Sequence, residues 1–416
     1  MNNPDKTNIL IVGAGALACA LANKFAEYEQ VGKIYAACGN FIKYKNLEYL
    51  DIREDNLSEL LEFVLENDIG LTIPISEKSL KSDIVSFFQA NGQNVFAPPK
   101  QVCNLFFDKI SKMKFLYKVR AQCPKFGAFN KIQLAQEYLK SANFPVIVSS
   151  SSSDELGNDR FVCPTLSVAS GFLDDLYNRG ETDVIIEEYI YGKNFTIYFI
   201  TDGYSAIPIN TVYSYKFDKK GHLTSGLGCL VPNLYVSSVA AARLQSVADN
   251  IIKALDAKSS PYVGILGIQG TLYSEDNFYV QDIKTFLSDY DARAVLNSCD
   301  DNLLNIFQAC VNGYFSDEYE ALCVNNLHSA SVVVSAEYEN EKISGFDNVE
   351  DISSIDIINL RQKQEGYYTL KGNNFVLTRA ANTLSRARKY LSEDLSCINF
   401  KGMSFDSDIC NNIEEY

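Results

Sequence analysis

Apolar and polar positions alternate along the chain in blocks whose period switches between strand-like and helix-like. Residues 8–13 (NILIVG) form an apolar, β-branched run that enters a small-residue turn, Gly13-Ala14-Gly15-Ala16. The following ALACALANKFAEY reads as a helix. KIYAAC repeats the strand pattern after Val31, LSELLEFVLEN is helical, GLTIPI near residue 72 is a further strand, and another helix leads to QNVFAPP. Strands alternating with helices predict a parallel sheet wound by helices. Pro98-Pro99 punctuates its end and sets a boundary near residue 100.

Helical patterns follow around DKISKMKFLYKV and IQLAQEYLKSA, with an apolar strand, Phe144-Pro145-Val146-Ile147-Val148, and a serine run from Ser149. DVIIEEYIYG, NFTIYFITDG and SAIPINTVYSYKF then read as successive strands. Leu244, Val247, Ala248, Ile251, Ile252 and Leu255 fall on one face of a helix. The segment YVGILGIQGTLYSEDNFYVQDI predicts a hairpin turning at Ser274-Glu275-Asp276-Asn277. From about Ser329 a β-rich tail precedes a helix near TLSRARKYL. The prediction is therefore a mixed α/β and α+β chain in three parts. A domain with a wound parallel sheet covers 1–100 and a mixed middle segment covers 101–324. A small α+β domain covers 325–416.

Composition narrows the functions open to this fold. The chain of 416 residues carries 37 Lys and Arg against 52 Asp and Glu, a net charge of −15. That balance argues against nucleic-acid binding, because phosphate backbones need a basic face. The eleven cysteines show no CxxC spacing, and only His222 and His328 accompany them, so neither a Cys/His metal site nor a disulfide framework is expected. No apolar run approaches the ~18 residues of a membrane span, and the polar start MNNPDKTN does not read as a signal peptide. A cytoplasmic protein with reduced thiols is the expectation.

Gly13-Ala14-Gly15-Ala16-Leu17-Ala18 matches GxGxxA between a strand and a helix, where glycines allow a tight turn and a helix N-terminus can hold an anion. The second strand ends Ala36-Ala37-Cys38-Gly39-Asn40 without the acid that would bind a ribose, so a plain strand-to-helix turn is the simpler reading. The middle of the chain carries a longer ordered series. Val184-Ile185-Ile186-Glu187-Glu188-Tyr189 and Gly192 come first, then Asp202-Gly203 and Pro208. Lys216, Gly221, Thr224, Gly226, Gly228 and Pro232 follow, with Tyr262–Gly267 and a hairpin ending Tyr279-Val280-Gln281-Asp282.

This series resembles the phosphoribosylamine–glycine ligase family, ATP-grasp enzymes of purine biosynthesis. The likeness runs over nearly the whole chain, from ILIVGAG through DIGLTIPISE and NVFAPP to SASVVVSA and NNFVLTRAANTLSRARKYL. It implies a Rossmann-like N-terminal domain, an ATP-grasp body over 101–324 whose two lobes cover about 110–188 and 189–324, and a small C-terminal domain. It also implies an activity in which ATP activates the carboxylate of glycine and phosphoribosylamine displaces the phosphate. On this resemblance Lys109 takes the position of a phosphate-contacting lysine, and Glu187, Glu188, Tyr189 and Ile190 that of the adenine-framing hinge. Gly39, Asn40 and Glu77 fall near the phosphoribosylamine pocket. Lys216, Thr224, Gly226 and Gly228 fall in or beside the substrate loop. Each has an ordinary structural alternative: a helix lysine, a strand-end acid or a turn glycine.

Other positions depart from the family's pattern. Its second ATP lysine falls on Ser149, and its glycine-rich phosphate loop becomes a serine run followed by Asp154-Glu155, whose charge would repel a triphosphate. A ribose-binding acid becomes Lys193. The metal-binding pair falls on Gln281 and Ile283, and isoleucine cannot ligate Mg²⁺. The arginine that follows becomes Thr285, and the first domain's phosphate motif becomes Ala16-Leu17-Ala18-Cys19-Ala20. Strand alternation admits either Gln281 or Asp282 to the pocket, not both. Asp289 and Asp291 are either ordinary loop acids or a new cation arrangement. Three readings stand: a weakened or silent ligase relative with a residual nucleotide or metabolite pocket and family Mg²⁺ ligands absent, a working ATP-dependent ligase, or a scaffold whose protein partner is open.

Overall fold

The structure is a computed structural model that describes residues 6–37, 47–151, 160–217 and 223–411. Gly39, Asn40, Asp154 and Glu155 lie outside the described residues.

The N-terminal domain holds β1 (Thr7–Val12), α1 (Ala16–Phe25), β2 (Val31–Ala37), β3 (Glu48–Leu50), α2 (Leu57–Glu66), β4 (Ile69–Pro74), α3 (Glu77–Lys81) and α4 (Ile84–Ala90). Its sheet has the order β3-β2-β1-β4, with every pair parallel. β1 is buried on both faces, as the unbroken apolar run NILIV requires. α5 (Lys100–Phe107) and α6 (Lys109–Lys118) lead into a small lobe of β5 (Phe126–Phe129), α7 (Ile132–Ser141), β6 (Val146–Ser150), β7 (Arg160–Cys163), α8 (Leu166–Asn178) and β8 (Val184–Glu188). Its antiparallel sheet runs β5-β8-β6-β7.

The large sheet begins with β9 (Lys193–Asp202), β10 (Ala206–Phe217) and β11 (Leu223–Val231). α9 (Ser238–Asp256) follows, with β12 (Val263–Leu272), β13 (Phe278–Lys284), α10 (Ala292–Leu296), α11 (Leu303–Asn312) and α12 (Phe315–Glu318). The C-terminal segment adds β14 (His328–Ala336), β15 (Ile355–Ile357), the hairpin β16 (Leu360–Lys363) and β17 (Gly366–Thr369), β18 (Gly372–Ala381), α13 (Leu384–Cys397) and β19 (Met403–Ser404). Nine strands join in the order β13-β12-β9-β10-β11-β14-β18-β15, with β19 on β14. The sheet thus runs unbroken past residue 325, because β11 pairs directly with β14.

α9 is capped by Ser237, whose Oγ accepts from the Ala240 N–H at 3.0 Å. Its face of Leu244, Ala248, Ile251, Ile252 and Leu255 is buried together with Phe195, Ile197, Phe199, Leu266 and Ile268 of the sheet. The opposite sheet face, carrying Tyr198 and Ile200, packs toward α1, α10 and α11. Stacked Phe96 and Phe307, 3.9 Å apart, fasten the N-terminal domain to α11. Among the described residues no helix is long and apolar enough to cross a membrane.

Candidate functional site

The small lobe and the large sheet meet where α6 packs against β13 and β7 approaches β11. Asp108 caps α6, its Oδ1 accepting from the Ser111 N–H at 2.7 Å, and so fixes the first turn that carries Lys109. Lys109 Nζ donates to the Gln281 carbonyl at 2.7 Å and lies 3.3 Å from Glu187 Oε1. One ammonium therefore ties α6 to both β8 and β13. Burial pulls the Lys109 pKa down, against the opposing pull of Glu187 and Asp282. Glu187 is 1% exposed and its Oε2 has no hydrogen-bond partner among the described residues. One turn along the same helix face, Lys112 forms an ion pair with Asp282. Burial alone would raise the Asp282 pKa, but Lys112, Lys109 and Arg160 together hold it below the usual carboxylate range.

The expected strand alternation at Gln281 and Asp282 needs correction. Asp282 pairs with Gln269 but Val280 pairs with Gly270, so Gln281 is an extra residue, a β-bulge. The bulge leaves Val280 and Ile283, three positions apart, in the same core cluster as Ile268 and Leu272. Gln281 and Asp282 both fall on the other face. Gln281 Oε1 accepts from Thr271 Oγ1 at 2.8 Å, and Asp282 meets Lys112. Ile283 does not plug the cleft; it packs beneath the sheet.

A divalent cation fits these residues poorly. The Asp282 carboxylate is engaged by an ammonium, Gln281 by a hydroxyl, and Ile283 offers no oxygen. Asp289 accepts the Leu17 N–H at 2.8 Å, and burial pushes its carboxyl up to about 6. Asp291 accepts from Tyr198 OH and the Ser288 N–H, both at 2.8 Å, and burial raises its pKa as well. The idea of a new cation arrangement at Asp289 and Asp291 therefore finds both acids already committed to neighbours. Among the described residues no three His, Cys, Asp or Glu gather as a metal site would need.

Asp289 also accounts for Gly15. A Cβ there would lie 2.9 Å from Asp289 Oδ1, and the residue has φ +93°. The turn that could receive an outside anion at the N-terminus of α1 holds the chain's own carboxylate instead.

Across the cleft, Lys216 near the end of β10 accepts Thr224 Oγ1 on its carbonyl at 3.0 Å. Thr224, Gly226 and Gly228 lie within strand β11, not in a loop. Gly226 has φ +137°, and a Cβ there would sit 2.2 Å from the Tyr290 ring. A Cβ at Gly228 would lie 2.1 Å from the Ser331 carbonyl of β14. Both glycines thus permit close packing of the sheet. Lys284 sits 5.1 Å over the Tyr290 ring, donating to Tyr290 OH at 3.2 Å and to Ser288 Oγ. Burial and the nearby Lys284 and Arg160 charges drive the Lys216 pKa well down, with Asp282 and Asp291 opposing.

The remaining expected residues scatter. The hinge leaves the small lobe at Glu188, whose N–H donates to the Lys125 carbonyl at 2.9 Å, and Tyr189 meets Tyr191 edge-on at 4.8 Å. Ile190 is half-buried beside them. Lys193 turns to the Tyr235 ring at 4.7 Å. Glu77 begins α3, pairs with Lys81 and lines a groove of about 460 Å³ with Asn104, Asp108, Ser151 and Glu181. That places it beside the α6 N-terminus and not with Thr224 and Gly226. Lys109 meets Gln281, and Lys216 feels the charges of Asp282 and Asp291. Sequence reasoning missed Lys112, Arg160, Lys284 and Tyr290. The spacing of Lys112 three residues after Lys109 on a capped helix was the signal for the first of these.

The family model "Phosphoribosylglycinamide synthetase, N domain" matches residues 7–105, and "Phosphoribosylglycinamide synthetase, ATP-grasp (A) domain" matches residues 108–292. A phosphoribosylamine–glycine ligase of Caldanaerobacter subterraneus is 25% identical, covering 96% of this chain and 99% of its own. One from Clostridium acetobutylicum is 26% identical, with 96% and 99% coverage. In fold, the crystal structure of phosphoribosylamine–glycine ligase from Thermotoga maritima superposes with a TM-score of 0.78 at 16% identity, covering 96% of this chain and 99% of that one. The biotin carboxylase–β,γ-ATP complex of Campylobacter jejuni gives 0.74 at 15%, covering 97% and 94%. The parallel N-terminal domain, the two-lobed body and the matches that span them together make this chain a member of the phosphoribosylamine–glycine ligase family of ATP-grasp proteins.

Proposed function

We propose that this protein retains a nucleotide pocket but is catalytically silent, or nearly so, in joining glycine to phosphoribosylamine. The observation that carries this reading is the state of β13. The positions that resemble the family's metal ligands hold a bulged glutamine bonded to Thr271 and an isoleucine buried in the core, while Asp282 is spent on Lys112. Acyl phosphate formation needs concentrated positive charge on the transferring phosphoryl group. With no carboxylate and amide pair at 281 and 283 to hold Mg²⁺, that step loses its main electrostatic support. Ser149 in place of a lysine removes a second cation.

The residues that support nucleotide binding are the hinge and the cations facing it. The main chain at Glu188, Tyr189 and Ile190 leaves the small lobe where an adenine edge would be read, with Lys109 and Glu187 joined behind it. A cytoplasmic setting belongs to the same reading, since cysteines such as Cys19, Cys229 and Cys310 are free and buried.

The Lys109–Glu187 pair, intact at 3.3 Å, favours a second reading in which the protein is an active ligase for this or a related substrate pair. One assay separates the two. Purified protein with ATP, Mg²⁺, glycine and phosphoribosylamine is expected to release no ADP above the glycine-free background. Sustained ADP release matched by glycinamide product would overturn silence and establish the active ligase.

A further inference from the structure

The poor fit of a divalent cation leaves an unanswered charge in the cleft, and it is positive. Lys109, Lys112, Arg160, Lys216 and Lys284 act on one another electrostatically around three carboxylates, Glu187, Asp282 and Asp291. Each carboxylate is engaged at one oxygen or more: Glu187 Oε1 by Lys109, with Oε2 unpartnered among the described residues, Asp282 by Lys112, and Asp291 by Tyr198 and Ser288. Lys216 Nζ has no hydrogen bond, and no carboxylate within 4.0 Å, among the described residues. Burial and the Lys284 and Arg160 charges press this amine toward its neutral form, and an arriving phosphate would favour its ammonium, which has three donors to place. Lys284 uses two of its own, on Ser288 and Tyr290.

Two further groups point to the same need. Ser149 is 4% exposed and its Oγ has no partner among the described residues, and Arg160 Nε is likewise buried and without a partner among them. The two residues lie directly opposite each other on β6 and β7, so their side chains share a face. A guanidinium therefore stands one strand away from the backbone position where the resemblance expects a lysine. Lys284 stands on the cleft face of β13, two residues beyond Asp282. The charge that sequence comparison marks as lost at 149 and 281–283 is supplied again by neighbours at 160, 216 and 284.

We propose that the cleft binds the phosphate chain of a nucleoside di- or triphosphate without a divalent cation, with Arg160, Lys216 and Lys284 taking over the phosphate-neutralising work of the missing lysine and metal. This inference rests on the nucleotide pocket proposed above. A lysine or arginine donates charge-assisted hydrogen bonds to phosphate oxygens directly. An ammonium held by Ser288 and Tyr290 is a fixed monovalent charge that cannot dissociate into solvent with a chelator.

Calorimetric titration of the full chain with ATP and ADP, once in EDTA and once in excess Mg²⁺, tests this, with inorganic pyrophosphate in EDTA as a parallel probe. The expected result is nucleotide affinity in EDTA within about threefold of that in Mg²⁺. Lys216→Gln and Arg160→Gln should each weaken it by about tenfold or more, and Lys216→Arg should largely restore it. Each variant is checked for an unchanged melting transition, and the wild-type metal comparison needs no variant at all. Binding that appears only with Mg²⁺ would overturn the inference and leave the nucleotide pocket standing. Pyrophosphate binding in EDTA with no nucleotide binding would support the cation cluster and overturn the nucleotide pocket. No binding of any of the three probes would overturn both.

Discussion

Asp289→Asn offers a direct test of how the first domain's turn is filled. The Asp289 carboxylate accepts the Leu17 N–H at 2.8 Å at the start of α1, and burial lifts its pKa from 3.8 to about 6. A carboxyl whose pKa is raised on folding binds its proton more tightly in the native state. Its contribution is therefore fully present below about pH 4 and is lost as the pH rises toward about 6, where the native group also ionises. About two pKa units amount to about 3 kcal/mol of native-state penalty at pH 7. Asparagine keeps an oxygen for the Leu17 N–H and never ionises. The variant should therefore be less stable than or equal to wild type near pH 4 and gain relative to it by up to about 3 kcal/mol at pH 7. Urea titrations of both proteins at pH 4, 5, 6 and 7, followed by far-UV circular dichroism, read this difference. Carboxylates remote from Asp289 titrate equally in the two chains and cancel, while Asp291 and Asp356, which repel its charge, add to the difference in the same direction. A wild-type-to-variant difference that is the same at every pH would refute the argument that Asp289 is enclosed at the α1 terminus.

Three further outcomes follow from the site's geometry. Gly226→Ala, with φ +137° and a Cβ 2.2 Å from the Tyr290 ring, should lower stability by about 3 kcal/mol or more, seen as a reduced melting temperature or loss of soluble protein. An unchanged melt would contradict the close approach. Lys112→Met leaves Asp282 without its nearest cation and should cost about 2 kcal/mol at pH 7. Because Asp282 has a depressed pKa, its stabilisation exists above about pH 4 and fades as the pH falls, so the deficit measured by urea titration should shrink at low pH. The double variant Gln281→Glu with Ile283→Asn, which reinstates the family's ligand types, should bind no Mg²⁺ in calorimetry and should melt earlier. Its asparagine enters the core beneath the sheet, where a buried unpaired amide costs about 1–3 kcal/mol beyond the lost packing. Tight magnesium binding by that variant would show that the bulge does not hold the register.

Much of the architecture was legible because it rests on apolar periodicity. The run NILIV declares a strand buried on both faces, and the spacing from Leu244 to Leu255 declares one face of α9. Both patterns are set by burial, which a sequence records residue by residue. Strand β11 was not legible: LTSGLGCLV carries two glycines that resemble a loop. Their reason is external, the Tyr290 ring and the Ser331 carbonyl pressed against them. The bulge at Gln281 was equally hidden, because local sequence does not say which residue a partner strand skips. Lys109 could be found from its place at the start of a capped helix, whereas Arg160 and Lys284 gain their meaning only from strands that neighbour them in space.

The single extra residue in β13 lets the polar and apolar positions of this strand each meet a matching environment. With the bulge, Val280 and Ile283 can both serve the core, so an isoleucine replaces a hydrophilic ligand without burying an unsatisfied group. The same shift turns Asp282 and Lys284 toward the cleft, where they meet Lys112, Ser288 and Tyr290. An intermediate sequence with the bulge but with an asparagine at 283 would carry the desolvation cost of a core amide, and one with isoleucine but no bulge would expose an apolar side chain to the cleft. Neither half-step is favourable, so the bulge and the isoleucine are stable only together. Their joint presence leaves the cleft face of β13 to Gln281, Asp282 and Lys284, stitched by lysine contacts. The β13 register therefore sets Lys284 toward the cleft, while Arg160 and Lys216 come from β7 and β10, and a nucleotide binding as proposed meets ammonium and guanidinium groups in the metal's place.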